Sequence, residues 1–409
     1  MTLSLNSASS LTIPESLQSQ WQILTNLSQL SPSQRKVLFA EPTCPFITFE
    51  FLDGLERHQC VGTQTGWSPC YFLYEQGQEL GLFICYLKSH SYGEYVFDWS
   101  WADAYHRHGI NYYPKLLSAI PFTPVPATKW LTNSTLTEQQ AWQQICQITE
   151  HSGITGAHLL FPQDNFNKQA DQIERQGCQF HWFNTHPETQ QPYHDFEDYL
   201  ASMTARKRKM IKKERLKVES AGFKCEWRRG HEISEEERAL FYQFYHNTYY
   251  KRGQEGYLTR AFFDHVFDSL SDHVRLLVCQ LNGRMVAGAL YFIDNSHLYG
   301  RYWGREFTPR QDSESGSVEF DALHFEACYY QGIELAIEMG LSVFNPGTQG
   351  EHKIPRGFQP VITRSYHQLF LDPFHQAVED FCLRECQHNS MYIKECETRL
   401  PFKQKEKSV

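Results

Sequence analysis

Two stretches of this chain, about 207 residues apart, read alike, and that repeat limits the folds open to it. Tyr71 to Ile84 and Leu277 to Leu290 are each an apolar run, a glycine-containing turn and a second apolar run with a glycine near its start. That pattern predicts a β-hairpin. Tyr92-Gly93-Glu94-Tyr95 then matches Tyr299-Gly300-Arg301-Tyr302, and the alternation from Tyr92 to Phe97 predicts a strand. Downstream, Tyr113 to Ile120 with Glu138 to His151 predicts helix in the first copy. Leu323 to Met339, closed by Gly340, does so in the second. A short strand follows in each (Ala157 to Phe161; Leu341 to Phe344), then a last strand opened by Gly177 or Gly357. Hairpin, helix, strand and strand, twice over, predict an α/β chain with mixed sheets. The expected domains are 41–195 and 226–372, with a polar, partly helical segment 1–40 before them. A basic connector, 196–225, lies between them, and a C-terminal helix with a polar tail, 373–409, ends the chain.

At 409 residues with 41% hydrophobic content, two cores are affordable. No apolar run has the length of a membrane helix, and no basic, then apolar, leader opens the chain, so the sequence predicts a cytoplasmic protein without a membrane span. The twelve cysteines are scattered without a CxxC, and no His/Cys spacing predicts a metal. Charge is uneven. Arg206, Lys207, Arg208, Lys209, Lys212, Lys213, Arg215 and Lys217 stand against Glu214 alone, while the chain as a whole carries −9. Within Tyr199 to Gly222 the apolar positions recur at helical spacing, predicting an amphipathic helix with a basic outer face. Three roles stay open for that face: a solvated connector, a dock for an acidic carrier or tRNA along Arg206 to Lys217, or a contact with anionic lipid.

The densest functional chemistry lies between two strands, from Phe344 to Phe358. Gln349, Glu351, His352, Lys353 and Arg356 bring an amide, a carboxylate, an imidazole, an ammonium and a guanidinium into eight residues, among three glycines. An imidazole titrates near neutrality, so His352 is the expected general base, with Glu351 orienting or replacing it. Lys353 and Arg356 suit an anionic group. Glu326, with Tyr329 or Tyr330 as an acid for a leaving group, completes the expected catalytic set. Arg301, Tyr302 and Trp303 are expected to bind substrate. A second candidate pocket is the polar and aromatic block Lys88, His90, Tyr92, Glu94, Asp98 and Trp99.

Several motifs carry a family resemblance. They are Thr65-Gly66-Trp67, the run from Tyr86 to Trp99, Tyr112-Tyr113-Pro114-Lys115-Leu116, Pro121 to Val125 and Phe180-His181-Trp182. Arg206 to Lys209, Tyr299 to Gly304, His324-Phe325-Glu326, Cys328 to Gln331 and Gln349 to Lys353 complete the set. From about Phe49 to Phe381 the chain resembles the FemAB-like predicted N-acyltransferases, often labelled peptidoglycan biosynthesis or recognition proteins. The resemblance implies tandem GNAT-like domains joined by a basic helix, and transfer of an acyl or aminoacyl group to an amine bound between them. A non-catalytic amino-sugar or peptide binder of the same fold, or a Fem-type transferase using aminoacyl-tRNA, are the alternatives. Two departures matter. Asn345 stands where relatives often carry an acid. The Q/R-x-x-G-x-G/A loop that cradles a CoA pyrophosphate is not seen ahead of His324, which leaves both acyl-CoA and aminoacyl-tRNA open as donor. The polar segment Arg305 to Gly316 is expected to be a loop.

Overall fold

In the computed structural model, which describes residues 11–251, 253–307, 322–348 and 350–403, both hairpins form where the repeat puts them. The strands of the first half are β1 (Trp21–Leu24), β2 (Trp67–Pro69), β3 (Tyr71–Gln76), β4 (Glu79–Phe83), β5 (Tyr86–Lys88), β6 (Lys115–Ser118), β7 (Trp130–Thr132), β8 (Gly156–Leu160) and β9 (Ile173–Phe183). Those of the second are β10 (Phe223–Arg229), β11 (Val274–Leu281), β12 (Arg284–Ile293), β13 (His297–Arg305), β14 (Val343–Asn345) and β15 (Gln359–Leu369). The chain divides into unit 1, Met1–Gly177 with Ile362–Met391, and unit 2, Cys178–Val361 with Tyr392–Val409. The fold is α/β with mixed sheets.

In unit 1, β3 and β4 pair in a sheet with β1 and β7, and β2, β5, β6 and β8 form a second. β6 runs parallel to β8, with the helix Glu138–His151 between them in sequence, and Ser365 to Leu369 of β15 lie antiparallel on β8. The core is aromatic: Trp21, Phe72, Phe83, Trp130 and Trp142 are all buried, each contributing roughly 1.5–3 kcal/mol by leaving water. In unit 2, β10 to β13 form an antiparallel run and β13 runs parallel to β14, again with a helix between them in sequence. Trp182 and Phe183, at the end of β9, pair with β14. The two units therefore repeat one plan, and each takes its last strand segment from the sequence of the other copy. Unit 2 also holds the basic helix Ala205–Ser220, whose Ile211 and Val218 are buried in its core.

Two expected elements differ. Tyr113 to Ile120 is not helix; Lys115–Ser118 is the parallel strand β6. Leu116 and Leu117 point to opposite faces and both are buried, as in a parallel strand covered on both sides. Tyr92 to Phe97 is not a strand but a tight loop, with Gly93 at φ 80° and Tyr95 at φ 61°. The likeness of Tyr92–Tyr95 to Tyr299–Tyr302 is thus one of sequence only. The helix expected from Tyr199 is two, Phe196–Ala201 and Ala205–Ser220. Most of the polar segment after Arg305 lies outside the described residues.

Candidate functional site

The site in unit 2 begins where two parallel strands part. β13 and β14 pair from His297↔Val343 to Tyr299↔Asn345. β14 then ends, while β13 continues to Arg305. The register between β12 and β13 slips at this level: Leu290 faces Tyr302 and Tyr291 faces Gly300, which leaves Arg301 as the extra, bulged residue. Beside it lies a cavity of about 100 Å³ lined by Arg301, Tyr302, Trp303, His324, Cys328 and Tyr329, among others. Its helical wall is irregular. Leu323–Phe325 and Gln331–Glu338 are α-helical, but Glu326–Tyr330 is a π turn. The wider turn shifts the helix face by one residue, a device common at functional sites. Cys328 and Tyr329 reach the cavity as a result.

His352 sits on a short 3-10 helix, Glu351–Arg356. Gly350 precedes it at φ 122°, and a Cβ there would lie 2.1 Å from the imidazole Cε1, so only glycine fits. His352 Nε2 is 2.7 Å from the Tyr329 hydroxyl. Burial, then Lys353 and Arg356, lower the His352 pKa, so the ring is neutral near pH 7. Burial raises that of Tyr329, which keeps its proton. His324, pushed down to about 4 by burial and by His352, adds a neutral ring whose centroid is 6.2 Å from that of His352.

The remaining loop groups are engaged within unit 2. Glu351 does not touch His352; it accepts from Tyr392 at 3.2 Å and pairs with Arg399 at 2.9 Å. Arg356 is buried, and each nitrogen of its fork is engaged: Nε donates to Tyr330 (2.8 Å), Nη1 to the His352 carbonyl (2.6 Å) and Nη2 to Glu214 (2.8 Å). Its guanidinium also lies 3.6 Å from the centre of the Phe325 ring. It holds the His352 loop onto the basic helix. Tyr330 donates to Glu214 on that helix and faces away from the pair made by Tyr329. Glu326 is buried and paired with Arg215 at 3.0 Å, beside Glu334. Lys353 is buried, donates to the Gly347 carbonyl at 2.7 Å, and is pushed down to about 7 by burial and by Arg301. Asn345 accepts from Arg301 (3.3 Å) and from the Gly347 N–H (3.1 Å), so the amide fixes the start of the loop. Tyr302 packs edge-on against Tyr245 and Phe263. Gln349 lies outside the described residues. His181, buried near Arg301 and Lys353 and pushed down to about 3, is a neighbour that spacing did not reveal.

The second predicted block converges in unit 1, around a lysine that the sequence did not single out. Lys115 Nζ donates to Ser91 and Glu94, both at 2.8 Å, and to Asp98, all buried. An extended chain would hold residues 94 and 98 about 13 Å apart, so reaching one ammonium requires the loop. Asp98 also accepts from Tyr112 at 2.6 Å. Burial opposes its charge, but Lys115 holds it well below the carboxylate range. Glu94 is pushed up to about 7 by burial, and Lys88 down to about 6. Lys88 Nζ lies 3.8 Å from the centre of the Trp67 ring. His90 is half-buried against the Thr65 carbonyl at 3.0 Å. Tyr92 and Trp99 are exposed and pack edge to face. Behind the cluster His158 and His367 share a hydrogen bond at 2.8 Å.

A model of the FemAB-like family, described as peptidoglycan biosynthesis/recognition, matches residues 17–404. The chain belongs to that family. No curated protein matches it. Among solved structures, the FemAB-like chain is similar to the C-terminal domain of a putative lysylphosphatidylglycerol synthetase from Agrobacterium fabrum (9% identity, 66% of this chain and 82% of that one, TM-score 0.43). It is also similar to a probable N-acyltransferase from Enterococcus faecalis (10%, 85% and 72%, TM-score 0.33). A third is a tandem GNAT protein of the clavulanic acid pathway (9%, 85% and 98%, TM-score 0.39). Likenesses this distant say nothing of substrate. Among the described residues, no helix is long and apolar enough to cross a membrane.

Proposed function

We propose that this FemAB-like protein is an N-acyltransferase whose chemistry is carried out by unit 2. The observation that carries the reading is the Tyr329–His352 contact beside the cavity where β13 and β14 part. A neutral imidazole and a protonated phenol in contact form a closed proton circuit. The attacking amine gives its proton to His352 as the new C–N bond forms. Tyr329 gives its proton to the leaving atom as the old acyl bond breaks. The imidazolium then returns a proton to the phenolate, and the pair is reset. Arg301 supplies positive charge where the carbonyl oxygen becomes anionic. The cavity has the volume of about three waters, enough for the reacting acyl group but not for its carrier.

The carrier is proposed to be rich in phosphate. Arg206, Lys209 and Lys213 are exposed and recur every three or four residues on the basic helix, while Glu214 and Arg215 hold its other face to unit 2. A row of cations at that repeat supports aminoacyl-tRNA over an uncharged donor.

The test is an acyl-transfer assay with labelled aminoacyl-tRNAs and acyl-CoAs against amine acceptors, on the wild type and on Tyr329→Phe and His352→Ala. Transfer by the wild type, lost in both variants with the fold intact, is expected. Full turnover in either variant, or no transfer from any donor, overturns the reading.

A further inference from the structure

The ionic cluster of unit 1 is incompletely satisfied. The three N–H groups of Lys115 are spent on Ser91, Glu94 Oε2 and Asp98 Oδ2. The other carboxylate oxygens, Glu94 Oε1 and Asp98 Oδ1, are buried and accept no hydrogen bond from the described residues. Lys88 does not supply one; it stands 3.9 Å from Glu94 Oε1 and donates to the Tyr92 carbonyl at 3.3 Å. A buried acceptor without a donor costs about 1–3 kcal/mol, more when charged. The loop that covers the cluster is also strained, since Tyr95 holds φ 61° without being glycine. On its outer side two large rings, Tyr92 (52% exposed) and Trp99 (40%), stay in water 4.8 Å apart.

We propose that unit 1 binds a primary ammonium group here, with Glu94 Oε1 and Asp98 Oδ1 as its acceptors and the Tyr92 and Trp99 rings against the body that carries it. The missing partner is a donor to Asp98 Oδ1, and to Glu94 Oε1 once Glu94 is ionised. A cation suits the place, because it favours the ionised form of Glu94, which burial otherwise opposes. Lys115 between the two carboxylates repels a bare divalent metal and blocks the other oxygens it would need, whereas an ammonium needs only hydrogen bonds and an aromatic face. Both oxygens are enclosed, so the ammonium enters while the loop Ser89–Phe97 is open, and closing brings Glu94 and Tyr92 onto it. The binding stands without the reaction above; that the bound amine is the acyl acceptor rests on that reading.

The experiment is tryptophan fluorescence of the full chain titrated with glucosamine, with glucose as its neutral counterpart and cadaverine as an acyclic amine, and with no acyl donor present. Saturable binding of an amine but not of glucose is expected. Glu94→Gln should weaken it at least about tenfold, and Trp99→Ala, at an exposed site that leaves the core alone, at least about threefold. Tighter binding of cadaverine keeps the ammonium site and makes the carrier a chain instead of a ring. Equal binding of glucose and glucosamine, no binding of either amine at millimolar concentration, or unchanged affinity in Trp99→Ala overturns the proposal. Acyl transfer that fails while amine binding persists sinks only the reaction.

Discussion

In unit 1 the parallel pair β6 and β8 ends against a buried lysine: Lys129 Nζ donates to the carbonyls of Ala127 (2.7 Å) and Phe161, just past β8. In unit 2 the corresponding pair, β13 and β14, opens onto a cavity flanked by a histidine and a phenol. One β–α–β frame thus serves two ends. Unit 1 fills the gap between its strands and keeps its charged groups elsewhere, in a closed cluster. Unit 2 leaves the gap open and spends two half-buried ion pairs, Arg356–Glu214 and Arg215–Glu326, on the loop and helix around it. A repeated fold therefore predicts where a gap arises, and the side chains at the strand ends decide whether it is used.

The largest test of that division is catalytic. Tyr329→Phe should lower turnover by roughly 10²–10⁴-fold without loss of stability, whereas Tyr330→Phe, one residue on, should act on stability by loosening Arg356. Steady-state kinetics beside urea melts separate the two; equal kinetic losses would remove the distinction between the two phenols. In unit 1, Lys115→Met leaves Glu94 and Asp98 buried without their cation and should cost about 3–5 kcal/mol in urea unfolding. A loss under ~1 kcal/mol would mean that water already reaches the cluster.

Acid should part the units. His181 and His324 of unit 2, at about 3 and 4 when folded, bind fewer protons than in the unfolded chain. Their contribution is fully present above about pH 6.5 and is lost as pH falls toward 4. The same holds for His158 and His367 in unit 1. There, however, Glu56 and Glu94 are raised to about 7 and take up protons on folding, which gains stability as pH falls from 7 toward 4.5. Hydrogen exchange at pH 7 and pH 5 should therefore show unit 2 amides opening more readily in acid, by about 1 kcal/mol or more, with unit 1 changing less. The opposite order would contradict the burial of these groups. The smallest effect is at the surface. Lys209→Ala with Lys213→Ala should leave stability within ~0.5 kcal/mol while lowering the salt dependence of tRNA binding by nearly two phosphate contacts. An unchanged slope would release the basic helix from that role.

Much of the frame was legible. Thr137 and Gln140 form a capping box that fixes the start of the helix Glu138–His151, and Asn282-Gly283 fixes the second hairpin. What escaped has local causes. Two leucines between Lys115 and Ser118 are too short a run to show a period, so the helix expected over Tyr113–Ile120 could not be told from the strand that forms. Alternation around Glu94 imitates a strand in sequence, but positive φ at Gly93 and Tyr95 turns the chain there. Glu351 lies next to His352 in sequence, yet on a 3-10 turn the two point apart. Tyr329 and Tyr330 cannot be ranked by helical period, because the π turn breaks the period at that point. Lys115 stands out in the sequence only as part of the run Tyr112 to Leu116, since nothing in its own neighbourhood announces carboxylates 17 and 21 residues earlier.

The exchange of last strand segments has a consequence for how the chain is made. Residues 11–177 leave the ribosome first, but the strand segment that completes their sheet against β8 starts only at Ser365. At about 5–20 residues per second, unit 1 must wait roughly ten to forty seconds with one strand edge open. Unit 2 has no such delay, because the piece of β9 that it needs precedes it. The half of the protein that is translated first is therefore finished last, and its open edge is where a nascent-chain chaperone would be needed most.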